Sequence, residues 1–342
     1  MGDVSRIERE FEVFAEDCKG SSPLYEYLAL QIANNDELLE LSTYAQKGQP
    51  KPNMLLGSVH HLLLNGTFHP LASYYPNLVE ETCDINGAFR HFLNFCRKYR
   101  REIIKLLQTK LVQTNEVRRC SYLFPIFTYI YEQVKQPLAL IEIGTSAGFQ
   151  LLWDKYSYSY TNTSNVIYGA QYSPVHITAH IKGEHVPYLR KTPPPVSDRI
   201  GLDLHINDVA NREDYLWLLS LIWPEHDERR ELFKQAANCM KEEDLQLIEG
   251  DGIKCLKHLA KDIPSSSAIC VFHTHVANQF SEGQKRQLIH SVQTIGQSRP
   301  IFHIYNNMWD GDLHLDYIIE GKEYNHTVGQ ANSHGKWFTW QL

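Results

Sequence analysis

The chain has 342 residues, 43% hydrophobic and 21% charged, with a formal net charge of −7. That length exceeds one compact core and predicts one large domain with an appended lobe, or two domains, while the composition excludes a disordered chain. Basic residues lie mixed among acids rather than in a run, which disfavours a nucleic-acid or other polyanion partner.

The opening segment, MGDVSRIEREFEVFAEDCKG, is charged throughout and lacks the apolar centre of a signal peptide. No apolar run approaches the roughly 18 residues of a membrane span. A cytoplasmic protein without membrane contact is expected. Cys18, Cys83, Cys96, Cys120, Cys239, Cys255 and Cys270 are odd in number and never form C-x-x-C, which fits reduced, mostly buried thiols.

Up to about Val134 apolar residues recur at three and four, as in Leu24, Leu28 and Ile32, and again in Ile103, Leu106 and Leu107. This spacing predicts a helical lobe over residues 1–134. Near its end, QTNEVRRC makes Thr114 or Asn115 a helix cap with Arg118 and Arg119 in the first turn. Arginines are unfavourable at a helix's positive end, so either a carboxylate or phosphate partner holds them or an ion pair to Glu116 or another acid does.

From Leu138 the pattern changes. LALIEI (138–143), RIGLDL (199–204), LQLIEG (245–250), AICVFH (268–273) and PIFHIY (300–305) are continuous apolar runs, as in strands covered on both faces. Helical stretches near 214–221, 227–240, 252–260 and 282–294 alternate with the later runs. Residues 135–342 are therefore expected to form an α/β domain, a Rossmann-like doubly wound sheet. Residues 156–197, with YSYSY, VIYG and TPPP, break the rhythm and predict a β-rich insertion of one or two hairpins before the second core strand. In WLLSLIWPEHDERR the leucines and Trp217 at helical spacing read as core.

The stretch ALIEIGTSAGF joins the first run to its following segment. With LALIEI on a strand and SAGFQLLWDKY on a helix, Gly144 to Gly148 becomes a tight turn at the carboxyl edge of the sheet, where small ligands usually sit. The spacing E-x-G-x-S-A-G puts Ser146 and Ala147 where a dinucleotide fingerprint is expected to have another glycine, which weakens a pyrophosphate cradle. An acid at the strand's end suits a ligand carrying an amino group or positive centre, as S-adenosylmethionine does. Asp203 ends the next run, where a carboxylate can take ribose hydroxyls, and Asp251 follows the third, where an acid can meet an adenine amino group. The candidate cofactor residues are thus Glu142, Gly144, Ser146, Gly148, Asp203 and Asp251. About sixty residues separate Glu142 from Asp203 rather than the usual twenty or so, and the insertion accounts for the gap.

The motifs LIEIGTSAGFQLLWDKYSYSY, RIGLDLHINDV, WLLSLIWPEHDER and VFHTHV, with QTNEVRR and HPLASYYP upstream, resemble a bacterial family known as domain of unknown function 2332. The resemblance covers nearly the whole chain. That family is similar to class I S-adenosylmethionine-dependent methyltransferases in its sheet region, which implies a cofactor site at Glu142, Gly144, Ser146 and Gly148 and assigns no catalytic residue.

His273 and His275 in VFHTHV follow the fourth run, where an imidazole can remove an acceptor's proton during methyl transfer. At most one of the two is expected to face the cofactor. Both can equally be hydrogen-bonded structural histidines. A metal held by the pair with His303 or Asp251 is the other alternative, but no compact ligand set such as H-E-x-x-H occurs, and no metal is expected. The expected activity is methyl transfer from S-adenosylmethionine to a small molecule. A non-catalytic nucleotide or S-adenosylmethionine sensor is the main alternative, and a metal-dependent hydrolase the third.

Overall fold

The computed structural model describes residues 2–113, 115–161, 163 and 166–342, with side chains from Ser5 onward. Helices α1 (Gly2–Cys18), α2 (Pro23–Ala33), α3 (Asp36–Ser42), α4 (Lys51–Leu64), α5 (Ala88–Lys98), α6 (Arg100–Thr109) and α7 (Cys120–Val134) come first. Strand β1 (Leu138–Ile143) leads to β2 (Ser157–Tyr160), β3 (Tyr168–Gly169), β4 (His176–Lys182) and β5 (Val196–Asp203). The chain continues through α8 (Arg212–Ser220), α9 (Asp227–Met240), β6 (Gln246–Glu249), α10 (Gly252–Asp262), β7 (Ala268–His273), α11 (Glu282–Gly296) and β8 (Ile301–Tyr305). It ends with β9 (Leu313–Ile319), β10 (Lys322–Gly329) and β11 (Trp337–Thr339). No helix among the described residues is long and apolar enough to cross a membrane.

Contacts divide the chain into two units, Met1–Thr114 with Ala210–Glu231, and Asn115–Val209 with Leu232–Leu342. The first is helical. Ser22 caps α2 ahead of Pro23, and Leu24, Leu28 and Ile32 enter one core with Phe11, Phe92, Phe95 and Trp217. The Trp217 indole donates to the Leu111 carbonyl at 2.8 Å, so the aromatic spacing there serves packing.

Helix α7 groups with the sheet, although its apolar period matches that of the earlier helices. Period alone does not say which core a helix faces. Here Phe127 stacks on Trp153 at 4.6 Å and meets Phe272 edge-on, while Phe124 stacks on Tyr158 at 4.5 Å. Pro125 lies within α7 and cannot donate to the Ser121 carbonyl, which the Tyr160 hydroxyl takes instead at 2.8 Å.

The second unit is mixed α/β. Its main sheet has seven strands in the order β10-β9-β8-β7-β1-β5-β6. The run from β8 to β6 is parallel, and β9 and β10 are antiparallel to their neighbours. Ala139, Ile141, Ile143, Ile269 and Val271 pack against Leu256, Leu288 and Val292 of α10 and α11. By alternation, Glu142 points to the opposite face, on the side of α7.

A second sheet, in the order β11-β4-β2-β3, is built from the segment between β1 and β5 and from the last strand of the chain. The pair β2 and β3 is antiparallel, whereas β4 joins β2, and β11 joins β4, in parallel. The turn-rich sequence predicts one or two hairpins; among the described residues of this segment the β2–β3 pair is one.

Candidate functional site at the carboxyl edge of β1, β5 and β7

The turn after β1 departs from the strand-to-helix junction that its sequence suggests. Gly144, Ser146 and Gly148 all have positive φ, at 78°, 53° and 88°, and Phe149–Lys155 forms a 3-10 turn kinked at Leu152 rather than an α-helix. Long-range partners explain the difference. The carbonyls of Phe149, Leu151 and Trp153 accept from Tyr156 Oη, Arg199 Nη1 and Tyr158 Oη, which compete with the i→i+4 bonds of an α-helix. The turn's amides are also engaged. Those of Gly144 and Thr145 donate to the Leu202 carbonyl, that of Ser146 to Asp203 Oδ2 at 2.7 Å, and that of Gly148 to the Thr145 carbonyl. No helical N-terminus is therefore offered to a phosphate here.

The turn instead links two carboxylates. Glu142 is buried, and its Oε2 accepts from Thr145 Oγ1 at 2.6 Å. Burial raises its carboxyl to about 8; nearby Asp203 adds to the rise, while the Thr145 hydroxyl and Arg119 oppose it. Asp203 ends β5 and braces the Ser146 amide with one oxygen and the His205 amide with the other. Asn207 closes over the same residue, donating from its amide to the Ser146 carbonyl and from Nδ2 to Ser146 Oγ. Glu142, Gly144, Ser146, Gly148 and Asp203 thus lie in one constellation. Asp251 caps α10 at the end of β6, taking the amides of Ile253 and Lys254 and the Lys254 ammonium at 3.1 Å. Those hydrogen bonds hold its carboxyl below the usual range against a desolvation effect that acts upward.

Arg119 enters from the segment before α7. The helix begins later than its sequence suggests: Val117–Arg119 forms a 3-10 turn capped by the Glu116 side chain, and α7 follows. Asn115, one of the two expected caps, donates to the Thr145 carbonyl, and Thr114 lies outside the described residues. Arg119 is buried, donating Nε to the Ser333 carbonyl at 2.9 Å and Nη1 to the Thr274 carbonyl and hydroxyl at 3.3 Å. Thr274 Oγ1 in turn donates to Gln150 Oε1.

The two histidines part company. His273 shares the face of α10 and α11, fully buried, with Nε2 3.1 Å from His303 Nε2 and its ring beside Tyr305 and Phe280. Its Nδ1 has no hydrogen-bond partner. Two neutral rings in this contact require one Nε2 to donate and the other to accept. Burial lowers the His273 imidazole to about 3. His275 sits past the strand at φ 57°; its amide donates to Asn306 Oδ1 at 2.8 Å, and Asn306 Nδ2 and Asn307 Nδ2 lie at 3.3 and 2.5 Å from its ring nitrogens. Burial, then Arg119 and His334, lower this imidazole to about 3 as well. Both rings stay neutral through physiological pH, so no rise in turnover through an ordinary imidazole titration is expected.

Asn306 holds His275 through backbone and ring together. Asn306→Ala should therefore cost about 1–3 kcal/mol and free the His275 loop, which denaturant unfolding and hydrogen exchange at residues 274–276 will measure. Unchanged exchange there would show that Asn306 does not hold the loop.

Sequence reasoning missed the places of Asn115, Gln150, Asn306 and Asn307 in the site. Only the paired asparagines after β8 carried a signal, since Asn307 adopts φ 55°, a conformation that asparagine tolerates. Among the described residues no group of three or more His, Cys, Asp or Glu is placed to hold a metal ion. All seven cysteines are free thiols; Cys18, Cys96, Cys120 and Cys270 are buried, and Cys83 is exposed.

No curated protein and no solved structure matches the chain. A family model described as "Uncharacterized protein conserved in bacteria (DUF2332)" matches residues 8–340, and the chain belongs to that family.

Proposed function

We propose that the sheet-bearing unit binds S-adenosylmethionine at the carboxyl edge of β1 and β5 and transfers its methyl group to a small molecule. The observation that carries the reading is the pair of carboxylates, Glu142 and Asp203, tied together by the Thr145–Ser146 turn beside the central strand β1. Strand order reverses at β1: β5 and β6 lie to one side, β7 and β8 to the other. Such a switch point is where doubly wound sheets take nucleotides, and the order β6-β5-β1-β7-β8 suits a Rossmann-like, class I methyltransferase-type core.

In this reading Glu142 holds the ligand's ammonium, Asp203 lies toward the ribose and Asp251 toward the adenine. The cofactor supplies an electrophilic methyl: its carbon–sulfur bond breaks with the electron pair going to sulfur, while an acceptor nucleophile bonds the carbon and loses a proton. The protein's contribution is chiefly placement of the two reactants. A neutral His275 is the candidate to take the proton, provided that its asparagine contacts open.

A second reading, a binding or sensor module without turnover, is favoured by those same contacts, which occupy both His275 nitrogens, and by the burial of His273. Calorimetry with S-adenosylmethionine and its demethylated product should show binding of both. No heat at millimolar ligand would sink both readings. Binding without label transfer from methyl-labelled cofactor to any small-molecule extract would leave the sensor.

A further inference from the structure

Two buried polar atoms, on Tyr122 and Asn115, lack a well-formed hydrogen bond. The Tyr122 hydroxyl, on the first turn of α7, is fully buried beside Arg119 and approaches Thr274 without forming a hydrogen bond of good geometry. The Asn115 side-chain oxygen is buried and likewise unbonded, while its nitrogen is fixed on the Thr145 carbonyl. Native interiors seldom leave such atoms unpaired, because each carries its full desolvation penalty. Neither explains itself as packing, since a phenylalanine or a leucine would fill the same space without the penalty.

Their neighbours decide what chemistry the pair is set to meet. Asn115 and Glu142 both bond Thr145, one at its carbonyl and the other at its hydroxyl, so two acceptors stand together there: an amide oxygen and a carboxyl group. Tyr122, whose hydroxyl burial keeps protonated, stands as a donor in the positive field of Arg119. Two acceptors held at Thr145, and a donor beside the Arg119 guanidinium that also acts on Glu142, match a group that is ammonium at one end and carboxylate at the other.

We propose that Asn115 and Tyr122 are recognition residues for the α-amino-acid end of the ligand. Asn115 Oδ1 and Glu142 accept from its ammonium, and Tyr122 Oη donates to its carboxylate under the field of Arg119. Placing that end on an adenosyl ligand rests on the reading above; the amino-acid specificity itself does not.

The test uses the full chain, with S-adenosylhomocysteine, 5′-methylthioadenosine, which lacks the amino-acid end, and free L-methionine as probes. Tyr122→Phe and Asn115→Ala should each weaken S-adenosylhomocysteine roughly 10-fold to 100-fold, the usual worth of one hydrogen bond to a charged group, and leave 5′-methylthioadenosine unchanged. Tyr122→Phe should also keep or raise the Tm of the unliganded protein, because it deletes a buried hydroxyl that no well-formed hydrogen bond satisfies; a structural tyrosine would lower it. Equal losses for both adenosyl ligands, no loss for either, or a lower Tm in Tyr122→Phe would overturn the proposal. If wild type binds neither adenosyl ligand, the cofactor reading falls and free L-methionine decides the rest. A thermal shift at millimolar L-methionine that Tyr122→Phe abolishes sustains the amino-acid site, and no shift overturns it.

Discussion

Gly144→Val should destabilise the sheet-bearing unit by about 2–5 kcal/mol, enough to lower its yield of folded protein. Two costs add. Gly144 has φ 78°, a left-handed conformation costing a residue with Cβ roughly 1–2 kcal/mol, and more when β-branched. A Cβ there would also stand 2.9 Å from Val276 Cγ1 and closer still to Cγ2, a forced overlap of the kind that costs about 1–3 kcal/mol in a packed interior. A side chain at this glycine would run into Val276. Denaturant unfolding of Gly144→Val, Val276→Ala and the double variant separates the terms. The double variant should recover the overlap and not the backbone strain. Full recovery would mean that the conformation carries no cost, and an unchanged single variant would refute the close approach.

Glu142→Gln should stabilise the protein, and the gain should grow with pH. The folded carboxyl titrates near 8, above the ordinary value of 4.5 in an unfolded chain, so the native state binds more protons between the two. Stability then falls as pH rises from about 4.5 to about 8 and levels beyond it, which is the sign for an acid whose folded pKa is raised. The substituted amide keeps an oxygen for the Thr145 hydroxyl and has no charge to desolvate. The variant and wild type should therefore melt together near pH 5 and differ by an amount on the order of 3 kcal/mol near pH 8. A difference that shrinks with rising pH would mean that Glu142 is ionised and paired in the native state. The variant should also weaken the hold on a ligand's ammonium, because a bound cation favours the ionised carboxylate and an amide cannot supply that charge.

What was legible in the sequence follows from where each signal is local. Core strands such as LALIEI and AICVFH showed because burial on both faces leaves an unbroken apolar run, and β1 and β7 occupy those residues. The β9–β10 hairpin did not register, although its turn, Glu320–Gly321, has positive φ at both residues, as a two-residue hairpin requires. Its strands are half-exposed, and LHLDYII reads nearly as well as a helix. Phe149–Lys155 misled for the opposite reason: its period is helical, but its carbonyls are claimed by Tyr156, Tyr158 and Arg199, and that competition is not local. At the site, acids beside glycines stood out at strand ends, whereas Asn115 and Tyr122 are ordinary residues in helical surroundings. Only the fold brings Asn115 to Thr145 and Tyr122 to Arg119.

The second sheet sets an order of events during synthesis. Strand β4 pairs in parallel with β2 within its own stretch of chain, but its other edge waits for β11, about 150 residues later. At roughly 5–20 residues per second, a ribosome leaves that edge unpaired for something like 8–30 seconds. In the interval β4 presents an extended row of free amides and carbonyls with Ile177, Ala179 and Ile181 on one face, the profile of a strand that recruits foreign partners. The opposite face carries His176, Thr178, His180 and Lys182, polar residues of the kind that blunt such recruitment. The last strand of the chain therefore acts as a latch, and until it arrives a nascent polypeptide must rely on those side chains or on a chaperone.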